Sequence, residues 1–106
     1  MMVCPMCTGS FSIDYSVIEQ GKRVSLQGKI KAIMDPRDSH VPPFSDFYTV
    51  TLYPRTGKVK YLKFRTKDEL EQWGFIPDQR IQCRGCLHIV DEKELVFDVQ
   101  NVIEIV

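Results

Sequence analysis

No sign of charge prevails in this chain: fourteen Lys and Arg balance fourteen Asp and Glu. A positive field over the whole molecule is therefore absent, and attraction of a polyanion would have to come from a local patch. No apolar run approaches the roughly 20 residues of a membrane span, so no membrane partner is expected. The first residues, MMVCPMCTGS, lack the basic region and apolar stretch of a secretory signal, and the expected location is cytoplasmic. Catalytic constellations are missing as well. There is no glycine loop to cradle phosphate, no Ser-His-Asp set, and no carboxylate pair with a supporting base, so the chain is not expected to be an enzyme. Cys86 and His88 fall on one face of a predicted strand, but one thiol beside one imidazole is not a catalytic site. Asp35 and Asp38 flank Pro36-Arg37, where Asp more often builds a turn than binds a metal.

What is present is alternation. At 106 residues, with 43% hydrophobic and 26% charged residues, the composition is that of one globular domain. Residues 1–16 read as an N-terminal extension and 17–106 as the domain. From Gly21 to Ile33, Val24, Leu26, Gly28, Ile30 and Ala32 share one face, while Ser25, Gln27, Lys29 and Lys31 share the other. Met34–Asp46 carries three prolines, three aspartates and two serines, which makes it a long loop. Phe47–Pro54 is a second strand with Tyr48, Val50 and Leu52 on one side and Phe47, Thr49, Thr51 and Tyr53 on the other. After the turn Arg55-Thr56-Gly57, the return strand Lys58–Arg65 is expected to point Leu62 and Phe64 inward and Tyr61, Lys63 and Arg65 outward. A helix is predicted over Thr66–Trp73, with Thr66 and Glu69 as a capping box, Gly74 at C′, and Leu70 and Trp73 as the apolar stripe.

Two further strands, Arg80–Val90 and Leu95–Ile103, flank the charged turn Asp91–Glu94. In the first, Ile81, Cys83, Gly85, Leu87 and Ile89 oppose Arg80, Gln82, Arg84, Cys86 and His88. In the second, Leu95, Phe97 and Val99 alternate with Val96, Asp98 and Gln100. Gly28 and Gly85 each stand where a core side chain is expected, which predicts a sharp bend or bulge that curls the strand around a small barrel.

Strand, long loop, strand, turn, strand, helix, strand, turn, strand is the order of an oligonucleotide/oligosaccharide-binding (OB) fold, an all-β, five-stranded Greek-key barrel. The carriers are VSLQGKI, the hairpin FYTVTLYP–RTG–KVKYLKFR, the helix TKDELEQWG between strands three and four, and RIQCRGCLHI paired with LVFDVQNV. Over roughly residues 17–104 the chain resembles nucleic-acid-binding OB domains of the replication protein A and tRNA-anticodon-binding kind. The resemblance implies that ligands lie across strands two and three, flanked by the loops after strands one and four. Here those loops are Met34–Asp46 and Asp91–Glu94.

Read from the residues alone, the second hairpin would present Phe47, Tyr53 and Tyr61 among Arg55, Lys58, Lys60, Lys63 and Arg65. The stretch from Arg55 to Arg65 holds five basic residues and no acidic one. Bases stack on aromatic faces for roughly 1–3 kcal/mol each, and Lys and Arg neutralise phosphates. Phe44 in the long loop could clamp a base or anchor the loop, and His40 beside it is by default a solvated histidine. The expected function is non-catalytic binding of single-stranded DNA or RNA. The alternative is a protein-interaction OB subunit of a larger complex, which neutral charge favours.

Cys4-Pro-Met-Cys7 and Cys83-Arg-Gly-Cys86 are two C-x-x-C pairs, and Cys4, Cys7, Cys83 and Cys86 are candidate ligands of a structural zinc. Two features pull the other way. The pairs are 75 residues apart, and residues i and i+3 of a strand point to opposite faces. Otherwise Cys83 is a small core residue.

Overall fold

The computed structural model describes residues 2–3, 10–11, 22–38, 47–90 and 92–105. Two short strands, β1 (Met2–Val3) and β2 (Ser10–Phe11), pair antiparallel as a two-stranded sheet. The other five close into a barrel: β3 (Lys22–Met34), β4 (Tyr48–Tyr53), β5 (Lys60–Phe64), β6 (Arg80–Val90) and β7 (Lys93–Glu104). Their order around the barrel is β3-β4-β5-β7-β6. Four seams are antiparallel, and β5 runs parallel to β7. A five-residue helix, α1 (Lys67–Glu71), lies between the third and fourth barrel strands. This all-β Greek-key barrel is consistent with the OB-fold that the element order implied.

The period-two pattern fills the lumen. Ile30, Val50, Leu52, Leu62, Phe64, Ile81, Cys83 and Val96 form its core, with Val24, Leu26 and Tyr48 packed against it. Both glycines stand at close approaches. A Cβ on Gly85 would sit 2.4 Å from Val96 Cγ1, and one on Gly28 would sit 2.8 Å from the Tyr53 carbonyl oxygen. Any side chain there would push two strands apart. Leu70, Trp73 and Phe75 cap the same core.

The helix begins as its sequence requires. The Glu69 N–H donates to Thr66 Oγ1 at 3.1 Å, satisfying one orphan donor of the first turn. Glu69 Oε2 accepts from the Arg65 N–H at 3.1 Å, one residue before the cap where a capping box would place that bond. Gly74, at φ +63°, follows the last turn in the left-handed conformation that suits glycine.

The last strand departs from simple alternation. From Cys86 to Arg84 β6 advances two residues, while β7 advances three, from Phe97 to Gln100. The same mismatch recurs between Gln82 and Arg84 opposite Gln100 and Ile103. Asp98 and Asn101 take positive φ, 53° and 55°, a conformation that Asp and Asn tolerate best among non-glycine residues. Core positions on β7 are therefore three apart: Val96, Val99 and Val102. This corrects the expectation that Leu95, Phe97 and Val99 share a face. The hairpin turn is also tighter than Asp91–Glu94, because Val90 already pairs with Lys93.

Candidate functional site

The strands two–three face lies on the outside of the barrel, as the alternation implied, but it is not open to water. Phe47 is 7% exposed and meets the Phe97 ring edge-on, with centroids 5.4 Å apart. Lys63 is 3% exposed, and its ammonium donates to Thr49 Oγ1 at 2.7 Å. It also lies 5.8 Å from the centroid of the half-buried Tyr61 ring. Register explains this layer. Thr51, Tyr61, Leu95 and His88 form one cross-strand row over four strands, and Cys86 pairs with Phe97 in the next. Thr49, Thr51, Cys86, His88, Leu95 and Phe97 are all buried there, outside the lumen. The expectation that Phe47 and Lys63 stand at a solvent face is thus corrected.

The remaining expected residues disperse. Lys60 shares the lumen parity of Leu62, pairs with Glu94 at 2.9 Å and donates to the Lys58 carbonyl. Arg65 is exposed at the opposite end of β5, beside the helix. Phe44 and His40, with most of the long loop, lie outside the described residues. Tyr53, Arg55 and Lys58 do reach water together.

Tyr53 and Arg55 belong to an open groove of about 460 Å³ that β3, β4 and the start of β6 build between them. Lys29 on β3 is the direct cross-strand partner of both Tyr53 on β4 and Arg80 on β6. Arg80, Lys29 and Tyr53 therefore form one row across three adjacent strands. Lys31 follows two residues on, its ammonium 5.7 Å from the centroid of the Tyr53 ring. Arg55 closes the β4 end, and Gly28 also lines the groove. Tyr53 is 47% exposed, so its ring is available for stacking. Among the described residues, the acid that pairs with this row is the exposed Asp78, 3.8 Å from Lys29 Nζ. Like charges directly opposite on paired strands repel, so Lys29 and Arg80 are set where an anion would relieve them.

Strand alternation puts Lys29, Lys31 and Arg80 on outward faces but does not gather them. The signal was available in the barrel order, which seats the first barrel strand between the second and the fourth. A second groove, of about 440 Å³, runs between Lys63, Arg65 and Gln100 beneath the helix. Its acids offset its bases: Glu69 and Asp98 line the same walls, and Asp98 accepts from Arg23 at 2.5 Å. It suits an anion less well.

At the start of the long loop, Asp35 makes the turn expected of it. Its carboxylate accepts from the Arg37 guanidinium and from the Arg37 N–H, and these bonds hold its pKa below the ordinary carboxylate value. Cys83 and Cys86 lie on opposite sides of β6. Cys83 is fully buried in the lumen, where desolvation pushes its thiol up to about 11. Cys86 is buried in the outer layer, with Sγ 3.4 Å from His88 Nε2. Cys4 and Cys7 lie outside the described residues. Among the described residues, no three His, Cys, Asp or Glu side chains cluster as a metal site, and no helix is long and apolar enough to cross a membrane.

Comparison with known proteins adds no assignment: no family model, curated protein or solved structure matches this chain.

Proposed function

We propose that this chain binds single-stranded nucleic acid, without catalysis, along the groove lined by Arg80, Lys29, Lys31, Tyr53 and Arg55. The observation that carries this reading is the cross-strand row Arg80–Lys29–Tyr53. It sets two cations and an exposed ring side by side on a rigid sheet. A single strand offers phosphates to neutralise the cations, which Asp78 offsets at Lys29 alone, and an unstacked base to cover the ring. The barrel supports the reading, since OB barrels serve as oligonucleotide-binding scaffolds. The ligand path differs from the one the resemblance implies, because the outer face of β4 and β5 is buried over Thr49, Thr51 and Lys63.

In a chain of zero net charge, attraction is local and must weaken with salt. Fluorescence titration with labelled single-stranded DNA and RNA at two salt concentrations tests this. Binding that weakens as salt rises, and that is lost on replacing Lys31, Arg55 and Arg80 together with alanine, is the expected result. No binding of either strand at low salt would leave the protein-interaction reading in its place. Unchanged affinity in the triple variant would exclude the groove.

A further inference from the structure

The outer side of the sheet does not end at the row Arg80–Lys29–Tyr53. Two residues back along β3, Gln27 is the cross-strand partner of Gln82 on β6, and Gln82 in turn pairs with Ile103 on β7. Two residues further back, Ser25 pairs with Arg84, and Arg84 with Gln100. Residues two apart leave the same side of a strand, and direct cross-strand partners share that side. Both rows therefore continue the side on which Lys29 and Arg80 lie.

These rows are wet. Ser25, Gln27, Arg84, Gln100 and Ile103 are exposed, and Gln82 is half-buried. Ile103 is 53% exposed, an apolar side chain kept in water beside Gln82. The dry layer begins only at the next row, where Cys86 and Phe97 are buried. None of the six positions is acidic. Acids stand at the two ends of the seam instead. Asp78 pairs with Lys29 at one, and Asp98 pairs with Arg23 at the other, where it also accepts from Gln100. Among the described residues, no acid forms an ion pair with Arg80 or Arg84. Between the cations, Gln27 Nε2 donates to Gln82 Oε1 at 3.2 Å. That single bond leaves the two amides with donors and acceptors to spare.

We propose that a bound single strand runs from the groove along the β3–β6 seam as far as Ser25 and Arg84. Arg84 takes a phosphate there, the Gln27–Gln82 pair meets base edges, and Ile103 gives apolar contact. This rests on the reading of the groove as a single-strand site and extends it. From Lys31 to Ser25 is about 20 Å of strand, enough for about six stacked nucleotides at about 3.4 Å each. From Lys31 to Lys29 is about 7 Å, the length of only about two.

The test is titration of the full chain, at two salt concentrations, with labelled oligothymidine and oligouridine of three, six and ten nucleotides. In the wild type the six-mer should bind at least about tenfold tighter than the three-mer, and the ten-mer should add little more. Arg84 is exposed, so Arg84→Ala should keep the fold. That variant should weaken the six-mer, reduce the magnitude of its salt slope by about 0.7 and leave the three-mer unchanged. A three-mer as tight as the six-mer overturns the proposal, as does an Arg84→Ala six-mer titration identical to wild type. If Lys31→Ala, Arg55→Ala, Arg80→Ala still abolishes binding in that case, the strand occupies the groove and leaves the barrel there. No binding of the ten-mer by the wild type at low salt overturns the groove reading and this extension together.

Discussion

Two outward faces of one barrel meet opposite fates. On β4, β5, β7 and β6 the outward residues Thr49, Lys63, Cys86, His88, Leu95 and Phe97 are as dry as the lumen. On β3, the end of β4 and the start of β6, the outward residues Lys31, Tyr53 and Arg80 stand in water, with Arg55 exposed beside them just past β4. Both sets obey the same alternation. Alternation states which side of the sheet a residue leaves from, not whether water is waiting there. A lysine on the outer face can therefore be a buried donor to a threonine, as Lys63 is, or an exposed partner for phosphate, as Lys31 is proposed to be.

The largest expected effect tests the dry face. Phe97→Ala should cost about 3–5 kcal/mol of stability in denaturant unfolding, as truncation of a buried aromatic does. Tyr53→Ala should stay within about 0.5 kcal/mol, as an exposed substitution does. Similar values for the two would erase the distinction between the faces.

The lumen sets the standard of dryness, and Cys83 reports on it. The unfolded thiol titrates near its ordinary 9.0 and the folded one near about 11. Between those values the unfolded chain binds fewer protons, so wild-type stability falls as pH rises through the window. The stability difference between wild type and Cys83→Ala should therefore shrink by an amount on the order of 2 kcal/mol from pH 9 to 11. A difference independent of pH would mean that the thiol is hydrated.

On the wet face, Tyr53→Ala should weaken single-strand binding by roughly 1–3 kcal/mol while leaving its salt dependence in place, because stacking rather than charge is removed. The smallest effect separates two lysines. Lys31→Met should reduce the magnitude of the salt slope by about 0.7, the share of one phosphate contact on a single strand. Lys63→Met should leave both slope and affinity unchanged, since its ammonium is turned to Thr49. A response from Lys63 equal to that from Lys31 would reopen the β4–β5 face.

Much of the architecture was legible before any coordinates. The strands announced themselves by period two, the helix by Thr66, Glu69 and Gly74, and the curl by glycines at two lumen positions. Gly85 faces Val96 and Gly28 faces Tyr53 so closely that the omission of a side chain is a steric requirement. The path of β7 was not legible. Asp98 and Asn101 read as ordinary polar positions, and only their left-handed backbone moves the core from every second residue to every third. Of the expected site, Tyr53 and Arg55 came through as an exposed pair. Phe47 and Lys63 did not, because what covers a face is a tertiary matter that no single strand encodes. Lys29 and Lys31 on β3 are far along the chain from Arg80 on β6 and meet it only because the barrel closes.

The most direct measurement is the slope of log binding constant against log salt for a labelled single strand, in the wild type and in the Lys31→Ala, Arg55→Ala, Arg80→Ala variant. With three phosphate contacts removed, the slope should flatten by about 2 and affinity should collapse at moderate salt. Identical slopes for the two proteins would contradict the groove as the place where the strand lies.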